Sequence, residues 1–174
     1  MNGKIAIRRW RETDAAALAE IIGDGRVQDN LRDGLPYPYT ERDAEEYIRS
    51  VNGADKTALF AFAVTADGVL AGSISAARQG NIHFRTAELG YYIAEPLWGR
   101  GIATEAIRLV CEYIFTNSDI LRIFAQPFVY NAASCRALEK NGFVCEGILR
   151  ANAVKNGRVL DMKMYSLLSL EFCR

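Results

Sequence analysis

A glycine-bearing turn between an apolar stretch and an amphipathic one constrains the possible fold of this chain most. Residues 87–94 are apolar and aromatic enough for a buried strand, which Glu95-Pro96 ends. Gly99-Arg100-Gly101 then opens residues 103–115, whose apolar side chains recur at the i, i+3, i+4 spacing of a half-buried helix. The first main-chain N–H groups of a helix lack partners within it, and glycines let a ligand approach them closely. The sequence therefore predicts an anion-binding turn, although two glycines alone do not identify the anion.

The overall charge and hydropathy exclude two classes of partner. Lys plus Arg and Asp plus Glu both total 21, so the net charge is zero and there is no basic excess for nucleic acid. The longest apolar run, residues 58–64, is too short to span a bilayer, and the first ten residues have no signal-peptide core. We therefore expect one cytoplasmic domain over residues 1–174 that binds neither nucleic acid nor membrane.

The cysteines do not form a metal-binding or redox motif. They have no Cys-x-x-Cys spacing and have apolar neighbours, and His83 is the single histidine available to complete a metal site. We expect free thiols and no metal. The four cysteines are Cys111, Cys135, Cys145 and Cys173.

The first quarter of the chain predicts a strand and two helices. Alternating isoleucines indicate a strand over residues 4–10, and Thr13 is the expected cap of the helix that follows. Residues 23–39 contain several glycine and proline breaks without sustained periodicity, which predicts a loop with at most a short helical turn. Thr40-Glu-Arg-Asp43 is typical of a capping box that starts the second helix.

The middle of the chain predicts an antiparallel meander followed by a crossover. Asp67-Gly68 favours a hairpin between strands 58–64 and 69–75, and the chain returns to the sheet with strand 87–94. Residues 121–125 are short and apolar. Because they form a strand that follows a helix that follows a strand, they predict a parallel βαβ unit.

The last third of the chain predicts a helix and a terminal hairpin. Residues 131–141 have helical character, with Gly142 as the left-handed cap. Strands 143–150 and 158–168 are expected to be joined by residues 151–157, with a tight turn inside that connection. The chain is therefore an α/β (α+β) protein with a mixed sheet.

The element order and one motif together resemble a known superfamily. Trp98-Gly-Arg-Gly-Ile-Ala-Thr-Glu-Ala106 resembles the pyrophosphate motif Gln/Arg-x-x-Gly-x-Gly/Ala of the GNAT superfamily of acetyl-CoA-dependent N-acetyltransferases, with Trp98 in place of the first polar residue. Within it the chain is similar to the branch named for the ribosomal-protein N-terminal acetyltransferases RimJ and RimL. The likeness covers nearly the whole chain and rests on Leu35-Pro-Tyr-Pro-Tyr-Thr40, Glu88-Leu-Gly-Tyr91, Asn131-Ala-Ala-Ser134, Glu139-Lys-Asn-Gly-Phe143 and Asn156-Gly-Arg-Val-Leu-Asp161.

The resemblance implies both a fold and a cosubstrate. The GNAT fold has about seven strands in a mostly antiparallel sheet, a parallel and splayed pair at strands 4 and 5, and about four helices. Acetyl-CoA would place its pyrophosphate on the glycine turn and its pantetheine between the splayed strands, with Arg136 or Lys140 near the 3′-phosphate unless these charges only face solvent. The cofactor-binding residues implied are Tyr92, Ile93, Ala94, Gly99, Arg100, Gly101, Ile102, Ala103, Thr104, Asn131 and Ser134.

Three polar residues are the catalytic candidates. Glu88, an acid within a strand beside the expected cleft, is the first choice for the base, unless it is a structural ion-pair partner. Asn131 and Ser134 lie one helical turn apart, so Ser134 could protonate the departing sulfur, or the two could simply cap the helix. Asp161 is the alternative base, or else the partner of Arg150 or Arg158.

The acceptor is an amine whose identity the sequence leaves open. A protein N-terminal α-amine follows from the RimJ/RimL resemblance. A small amine such as a polyamine is the alternative, since Asp24, Asp29 and Asp33 could supply acids to its site. A non-catalytic acetyl-CoA-binding module is a third hypothesis. Tyr37 and Tyr39 could wall the acceptor site.

Two further expectations concern covalent chemistry and assembly. An acyl-enzyme on Cys135 is disfavoured, because His83 is remote in sequence and direct transfer needs no enzyme nucleophile. The family resemblance makes a homodimer through the C-terminal strands possible.

Overall fold

The computed structural model describes residues 3–172, which form one seven-stranded sheet with helices on both faces. The strand order across the sheet is β1-β2-β3-β4-β5-β7-β6. The strands are β1 (Ile5–Arg8), β2 (Leu59–Ala66), β3 (Val69–Arg78), β4 (Thr86–Ile93), β5 (Arg122–Ala125), β6 (Val144–Lys155) and β7 (Arg158–Leu168).

Within residues 3–172 the sheet is accompanied by four helices of eight or more residues, as predicted. Two further helices have four residues each. In this part of the chain no helix combines the length and the apolar character needed to cross a membrane. The helices are α1 (Ala15–Gly23), α2 (Gly25–Gln28), α3 (Glu41–Gly53), α4 (Ile102–Asn117), α5 (Ala132–Glu139) and α6 (Ser169–Phe172).

The sheet contains one parallel pair, between β4 and β5, and all its other neighbouring strands are antiparallel. That pairing joins Thr86, Ala87 and Glu88 to Arg122, Ile123 and Phe124, and it ends there although β4 continues to Ile93. We call the opening beyond Glu88 the fork. The mixed sheet with a splayed fourth and fifth strand confirms the predicted GNAT fold.

Two apolar clusters hold the helices against opposite faces of the sheet. On one face α1 and α3 pack through buried residues such as Leu18 and Ile48. On the other face α4 and α5 pack through residues such as Ile107 and Leu138. Side chains alternate along a strand, so β4 sends Leu89, Tyr91 and Ile93 toward α4 and α5, and sends Tyr92 to the α1 and α3 face.

The first helix does not begin as the sequence predicts. Asp14, not Thr13, is its N-cap, and a short 3₁₀ turn over Glu12–Asp14 precedes it. The Asp14 carboxylate accepts hydrogen bonds from the Arg11 N–H at 2.9 Å and the Arg8 guanidinium at 2.7 Å. The buried ion pair therefore decides where the chain turns, and β1 is shorter than predicted.

The terminal hairpin is also longer than predicted. β6 continues through residues 151–155, so only Asn156 and Gly157 connect the two strands, both with positive φ. The pairing shifts register between Leu149 and Ala153, which absorbs the extra residues of β6 within the strand. The predicted seven-residue connection is therefore wrong, whereas the tight turn inside it is confirmed.

Other local predictions hold. Thr40 caps α3 with Asp43 in a reciprocal capping box, the chain turns between β2 and β3 at Asp67 and Gly68, and Gly142 has a φ of +81° after α5. These motifs depend only on neighbouring residues, which explains why the sequence reveals them.

Candidate active site

The N-terminus of α4 faces a cleft and has no side-chain cap among the described residues. Gly101, the N-cap residue, has a φ of +76°, and Gly99 has the same φ. The first hydrogen bond of the helix runs from the Glu105 N–H to the Gly101 carbonyl at 3.1 Å. The N–H groups of residues 102–104 are therefore without intrahelical acceptors, at the positive end of a sixteen-residue helix.

The cleft has a volume of about 620 Å³ and runs from this helix terminus through the fork to the α1 and α3 face of the sheet. Ala94 and Arg100, both predicted as cofactor-binding residues, do not line it. The predicted site residues that do line it are Glu88, Tyr92, Ile93, Gly99, Gly101, Ile102, Ala103, Thr104, Asn131 and Ser134.

Hydrogen bonds show which main-chain groups of β4 face the fork. The Arg85 carbonyl accepts from Leu121 on the β5 side at 2.8 Å, whereas the Thr86 carbonyl accepts from Gln79 on the β3 side at 2.9 Å. Because these directions alternate along a strand, the main-chain groups of Leu89, Tyr91 and Ile93 point into the fork.

The same alternation turns the main-chain groups of Tyr92 and Ala94 away from the fork. The main chain of Tyr92 faces β3. The Ala94 N–H donates to the Ala71 carbonyl at 2.8 Å, and the Ala94 carbonyl accepts from Leu97 at 3.0 Å. Neither residue has a main-chain group to offer at the fork.

Trp98 fixes the end of β4 beside the glycine turn. Its indole Nε1 donates to the Ile93 carbonyl at 2.7 Å. This bond satisfies a carbonyl that has no β5 partner, because the two strands have already diverged. A tryptophan at the first position of the motif therefore supports the loop, and the Ile93 N–H remains directed at the fork.

Glu88 lies at the last register pair before the fork, and its side chain forms an ion pair with Arg32. It lines the cleft on the α1 and α3 face of the sheet. The ion-pair alternative weighed for Glu88 is thus what the structure contains. Sequence analysis missed Arg32, because 56 residues separate it from Glu88 and no local pattern links them.

Asn131 and Ser134 lie on the same side of α5, and a third residue joins them. The side-chain amide oxygen of Asn131 accepts from the Ser134 N–H at 3.1 Å and so caps the helix. The Ser134 Oγ lies 2.7 Å from the hydroxyl of Tyr91. Burial raises the pKa of Tyr91 to about 12, so this hydroxyl keeps its proton at neutral pH. Sequence analysis gave Tyr91 no role beyond the Glu88-Leu-Gly-Tyr91 motif, although its place in β4, two residues from both Leu89 and Ile93, puts it on the α5 face.

Arg136 and Lys140 also line the cleft and are both exposed. Arg136 lies on α5 and Lys140 directly follows it. Both are beside the N-terminus of α4, because the Asn141 side chain donates a 3.0 Å hydrogen bond to the Thr104 carbonyl. The outer part of the cleft therefore has two cations and an uncapped helix end.

Residues 29–33, which we call the strap, cross the opposite end of the cleft. Asn30, Leu31 and Arg32 line it there. A second cavity of about 310 Å³ lies beside the strap and reaches the β6–β7 hairpin. Arg32 lines both cavities, and so do Gln126, Phe128 and Met162.

The two tyrosines expected to wall the acceptor site do not line either cavity. Tyr39 is buried in the cluster under α1 and α3, and Tyr37 is 75% exposed. The strap walls this part of the cleft instead. The path of the loop in three dimensions determines which of its residues do so.

The acids near the strap have partners of their own. Asp24 pairs with Arg26 at 3.0 Å, and Asp33 with Lys155 at 2.7 Å. Asp29 accepts from the side chain of Asn156 at 3.2 Å. Asp24 and Asp33 therefore have cationic partners, whereas Asp29 keeps its negative charge because its partner is a neutral amide.

Asp161 is occupied by a main-chain contact. Its carboxylate accepts from the Ala151 N–H at 2.7 Å, within the register shift of β6. Over the described range it forms no ion pair with Arg150 or Arg158, which corrects that expectation.

The cysteines in the described range are free: Cys111 and Cys135 are buried, and Cys145 is exposed. Cys173 lies outside the described residues. In residues 3–172 no group of three or more His, Cys, Asp or Glu side chains could hold a metal ion.

Comparisons with known proteins agree on one family. A family model described as "Acetyltransferase (GNAT) domain" matches residues 4–144. The chain is 31% identical to "Putative ribosomal N-acetyltransferase YdaF" of Bacillus subtilis, over 99% of this chain and 95% of that one. RimJ of Mycobacterium smegmatis, solved in complex with CoA-disulfide, has a TM-score of 0.90 at 22% identity, over 99% of this chain and 86% of that one. Spermidine N-acetyltransferase of Vibrio cholerae, solved with CoA and spermine, has a TM-score of 0.83 at 24% identity, over 98% of both chains.

Proposed function

Since the chain belongs to the GNAT family of N-acetyltransferases, we propose that it transfers the acetyl group of acetyl-CoA directly to the α-amine of a protein N-terminus. The observation that carries this proposal is the cleft that joins the uncapped α4 terminus to Glu88 through the fork. Such a passage lets a donor enter from one face of the sheet and an acceptor from the other.

The residues at the donor end fit acetyl-CoA. Gly99 and Gly101 leave open space where a side chain would stand, and three N–H groups of α4 can donate to a pyrophosphate. Arg136 and Lys140 provide positive charge for the 3′-phosphate. The fork exposes main-chain groups of Leu89, Tyr91 and Ile93, to which the pantetheine amides can pair as an added strand would.

The chemistry requires few protein groups. Acetyl-CoA supplies an activated acetyl group whose leaving thiolate has a pKa of roughly 8.5. The acceptor nitrogen forms a bond to the thioester carbon as the C–S bond breaks, and an N–H of the fork polarises the carbonyl oxygen. An α-amine titrates near about 8 and a lysine near about 10.4, so an N-terminal acceptor needs only modest help from a base.

We assign the proton transfers to two sides of the fork. Glu88 takes up the proton of the acceptor amine, directly or through water. Ser134 donates a proton or a hydrogen bond to the departing sulfur, and the Tyr91 hydroxyl at 2.7 Å holds Ser134 in position. Asn131 keeps the start of α5 in place through its cap on Ser134.

Two observations favour a peptide acceptor over a polyamine. Of the strap acids, Asp33 is paired with Lys155 and Asp29 alone keeps an uncompensated charge, so no cluster of free acids is available to attract a polycation. The name of YdaF refers to the ribosome, and YdaF is similar over almost the whole chain. The polyamine alternative is supported by the fold shared with spermidine N-acetyltransferase.

A panel of acceptors distinguishes these functions. Release of free thiol from acetyl-CoA is measured with peptides of varied N-terminal sequence, with spermidine and with an aminoglycoside. We expect release with at least one peptide and identification of an N-terminally acetylated product by mass spectrometry. Turnover of only spermidine or the aminoglycoside would favour the small-amine function, and acetyl-CoA binding without turnover would favour a binding module.

The proposal also covers the cellular location and the oligomeric state of the enzyme. We place it in the cytoplasm as one domain over residues 1–174. A homodimer remains a prediction, and the exposed Val144, Ile148 and Val154 on the edge strand β6 support it.

A further inference from the structure

The base candidate in this active site is covered by a cation of the same chain. Arg32 Nη2 contacts Glu88 Oε1, and the side chains of the two residues are 61% and 25% exposed. Ion pairs that are this open to solvent add little to stability. The Arg32 guanidinium can therefore leave Glu88 readily when another cation arrives.

The acceptor amine is such a cation. Below its pKa an amine arrives as an ammonium ion, and the proposed function requires it to approach Glu88, where the guanidinium lies. Building on that function, we infer that Arg32 selects acceptors by charge: the acceptor ammonium displaces it from Glu88, and the released guanidinium then favours an acidic side chain close behind the amine.

The anchors of the strap keep Arg32 beside the acceptor after this exchange. Asp29 is held by the Tyr130 hydroxyl, which donates to its carbonyl at 2.8 Å, and by the side chain of Asn156. Asp33 is held by Lys155 at 2.7 Å. Because both ends of the strap are fixed, the Arg32 side chain can swing while its backbone stays over the cleft.

The acids around the strap are already engaged when the guanidinium is displaced, and Asp29, which keeps its charge, is held by the Asn156 side chain. Asp33 already pairs with Lys155, and Glu88 pairs with the acceptor once the exchange has occurred. Arg32 also lines the second cavity, which adjoins the cleft at Gln126, Phe128 and Met162. An acceptor chain that continues from the fork into this cavity passes the guanidinium within its first two or three residues, a span of about 7–10 Å.

The acceptor class inferred is therefore a peptide with Asp or Glu at its second or third residue. Lysine at these positions is disfavoured, because it would place a second cation against Arg32. The same repulsion acts against spermidine, in which further amines follow the first one.

Three peptides and three variants test this inference. The peptides begin with Ser-Glu, Ser-Gln or Ser-Lys and are otherwise identical. The variants are Arg32→Gln, Arg32→Lys and the control Arg42→Gln, which removes an exposed arginine that pairs with Glu46 on α3, away from both cavities. For each enzyme kcat/KM is measured with every peptide and with spermidine, and the affinity for acetyl-CoA is measured separately.

We expect the wild-type enzyme to prefer Ser-Glu over Ser-Gln over Ser-Lys, with up to about fivefold between neighbours, the size of one solvent-exposed charge interaction. Arg32→Gln should abolish this order, raise relative activity on spermidine, and leave acetyl-CoA affinity unchanged. Arg32→Lys should keep the order, because the charge remains, and Arg42→Gln should match the wild type.

Three other results would overturn the role of Arg32, the peptide acceptor, or both. An unchanged order in Arg32→Gln would overturn the inference while leaving peptide acetylation intact. If no peptide reacts but spermidine does, and faster in Arg32→Gln, Arg32 repels further cations, whereas the acidic-peptide class and the proposed peptide acceptor both fail. If no acceptor reacts with any variant, both fail.

Discussion

At the scale of single residues, Ser134 and Tyr91 form the contact with the clearest kinetic consequence. Their oxygens are 2.7 Å apart in the donor half of the cleft. Ser134→Ala should lower kcat by roughly a hundredfold, the usual contribution of a positioned proton donor. Tyr91→Phe should lower it by about tenfold, because it removes one hydrogen bond that orients Ser134.

Steady-state kinetics check this pair. The KM for acetyl-CoA should change little in either variant, since both keep the α4 terminus and the main chain of the fork. Unaltered kcat in Ser134→Ala would exclude it as the proton donor and would leave the departing thiolate to solvent.

Asp14 is the residue whose charge matters most for the start of the fold. Burial alone would raise the pKa of Asp14, yet the hydrogen bonds from Arg8 and from the Arg11 N–H outweigh it and the pKa is lowered. A carboxylate with a lowered folded pKa stabilises the protein above its ordinary pKa of about 4, and this stability is lost as the pH falls below that value. Asp14→Asn should therefore reduce the free energy of unfolding by roughly 1–3 kcal/mol at pH 7.

Urea unfolding at pH 7 and pH 3.5 measures this effect, with Glu12→Gln as the control because Glu12 is exposed in the same 3₁₀ turn. The difference between Asp14→Asn and wild type should narrow at pH 3.5. An equal difference at both pH values would assign the effect to packing instead of charge.

Residue-scale features were predictable only where the partners are close in sequence. The i, i+3 spacing of Asn131 and Ser134 already places them on one side of a helix, and their cap is local. The partners of Glu88 and Ser134, namely Arg32 and Tyr91, are 56 and 43 residues away. Chain folding alone brings them together, so no sequence window contains them.

At the scale of secondary structure elements, the N-terminus of α4 depends on a left-handed residue. Gly101 has a φ of +76°, and a Cβ there would have no neighbour within 4 Å, so a substitution acts through backbone conformation and not through crowding. Gly101→Val should move the first N–H groups of the helix and weaken acetyl-CoA binding, with a backbone penalty of roughly 1–2 kcal/mol or more for a β-branched residue.

Gly157→Val is the matched control, because Gly157 has a φ of +71° in the turn between β6 and β7 and equally open surroundings. Isothermal titration with acetyl-CoA should show weaker binding in Gly101→Val alone, while thermal unfolding should show a loss of stability in both. Equal affinity in the two variants would remove the glycine turn from the donor site.

Element types were predicted well and element ends less so. The apolar periodicity of α4 and the Asp67-Gly68 turn give the helix and the hairpin directly. β6 was predicted too short because residues 151–157 were assigned to the connection, yet an edge strand with a register shift includes residues 151–155. Thr13 was chosen as a cap because its hydroxyl suits that position, but the Asp14 pair with Arg8 holds the chain more strongly.

At the scale of the whole molecule, the two core clusters make thiol reactivity a measure of global unfolding. Burial raises the pKa of Cys111 to about 12, whereas Cys145 is exposed on β6. At pH 8 a thiol-specific reagent should modify Cys145 in the native protein and reach Cys111 only through unfolding. Peptide mapping by mass spectrometry assigns each site, and rapid native modification of Cys111 would contradict the packing of α4 on the sheet.

The sequence sufficed for the architecture because the order of elements restricts it. A helix between two strands requires a crossover, and a crossover in a mostly antiparallel sheet gives one parallel pair. The extent of the fork and the path of the strap were not predictable, since both depend on where strand pairing stops in three dimensions.

The fork has a mechanical consequence. Three register pairs join β4 to β5, fewer than any other neighbouring strands in the sheet share. The sheet therefore has two parts, β1–β4 and β5–β7, which are joined by a short region of pairing. We call this region the seam. On one face of the sheet α4 and α5 bridge it. Separating the two parts of the sheet at this seam breaks fewer register pairs than at any other strand boundary, so we expect the width of the cleft to adjust there when pantetheine binds along Leu89, Tyr91 and Ile93.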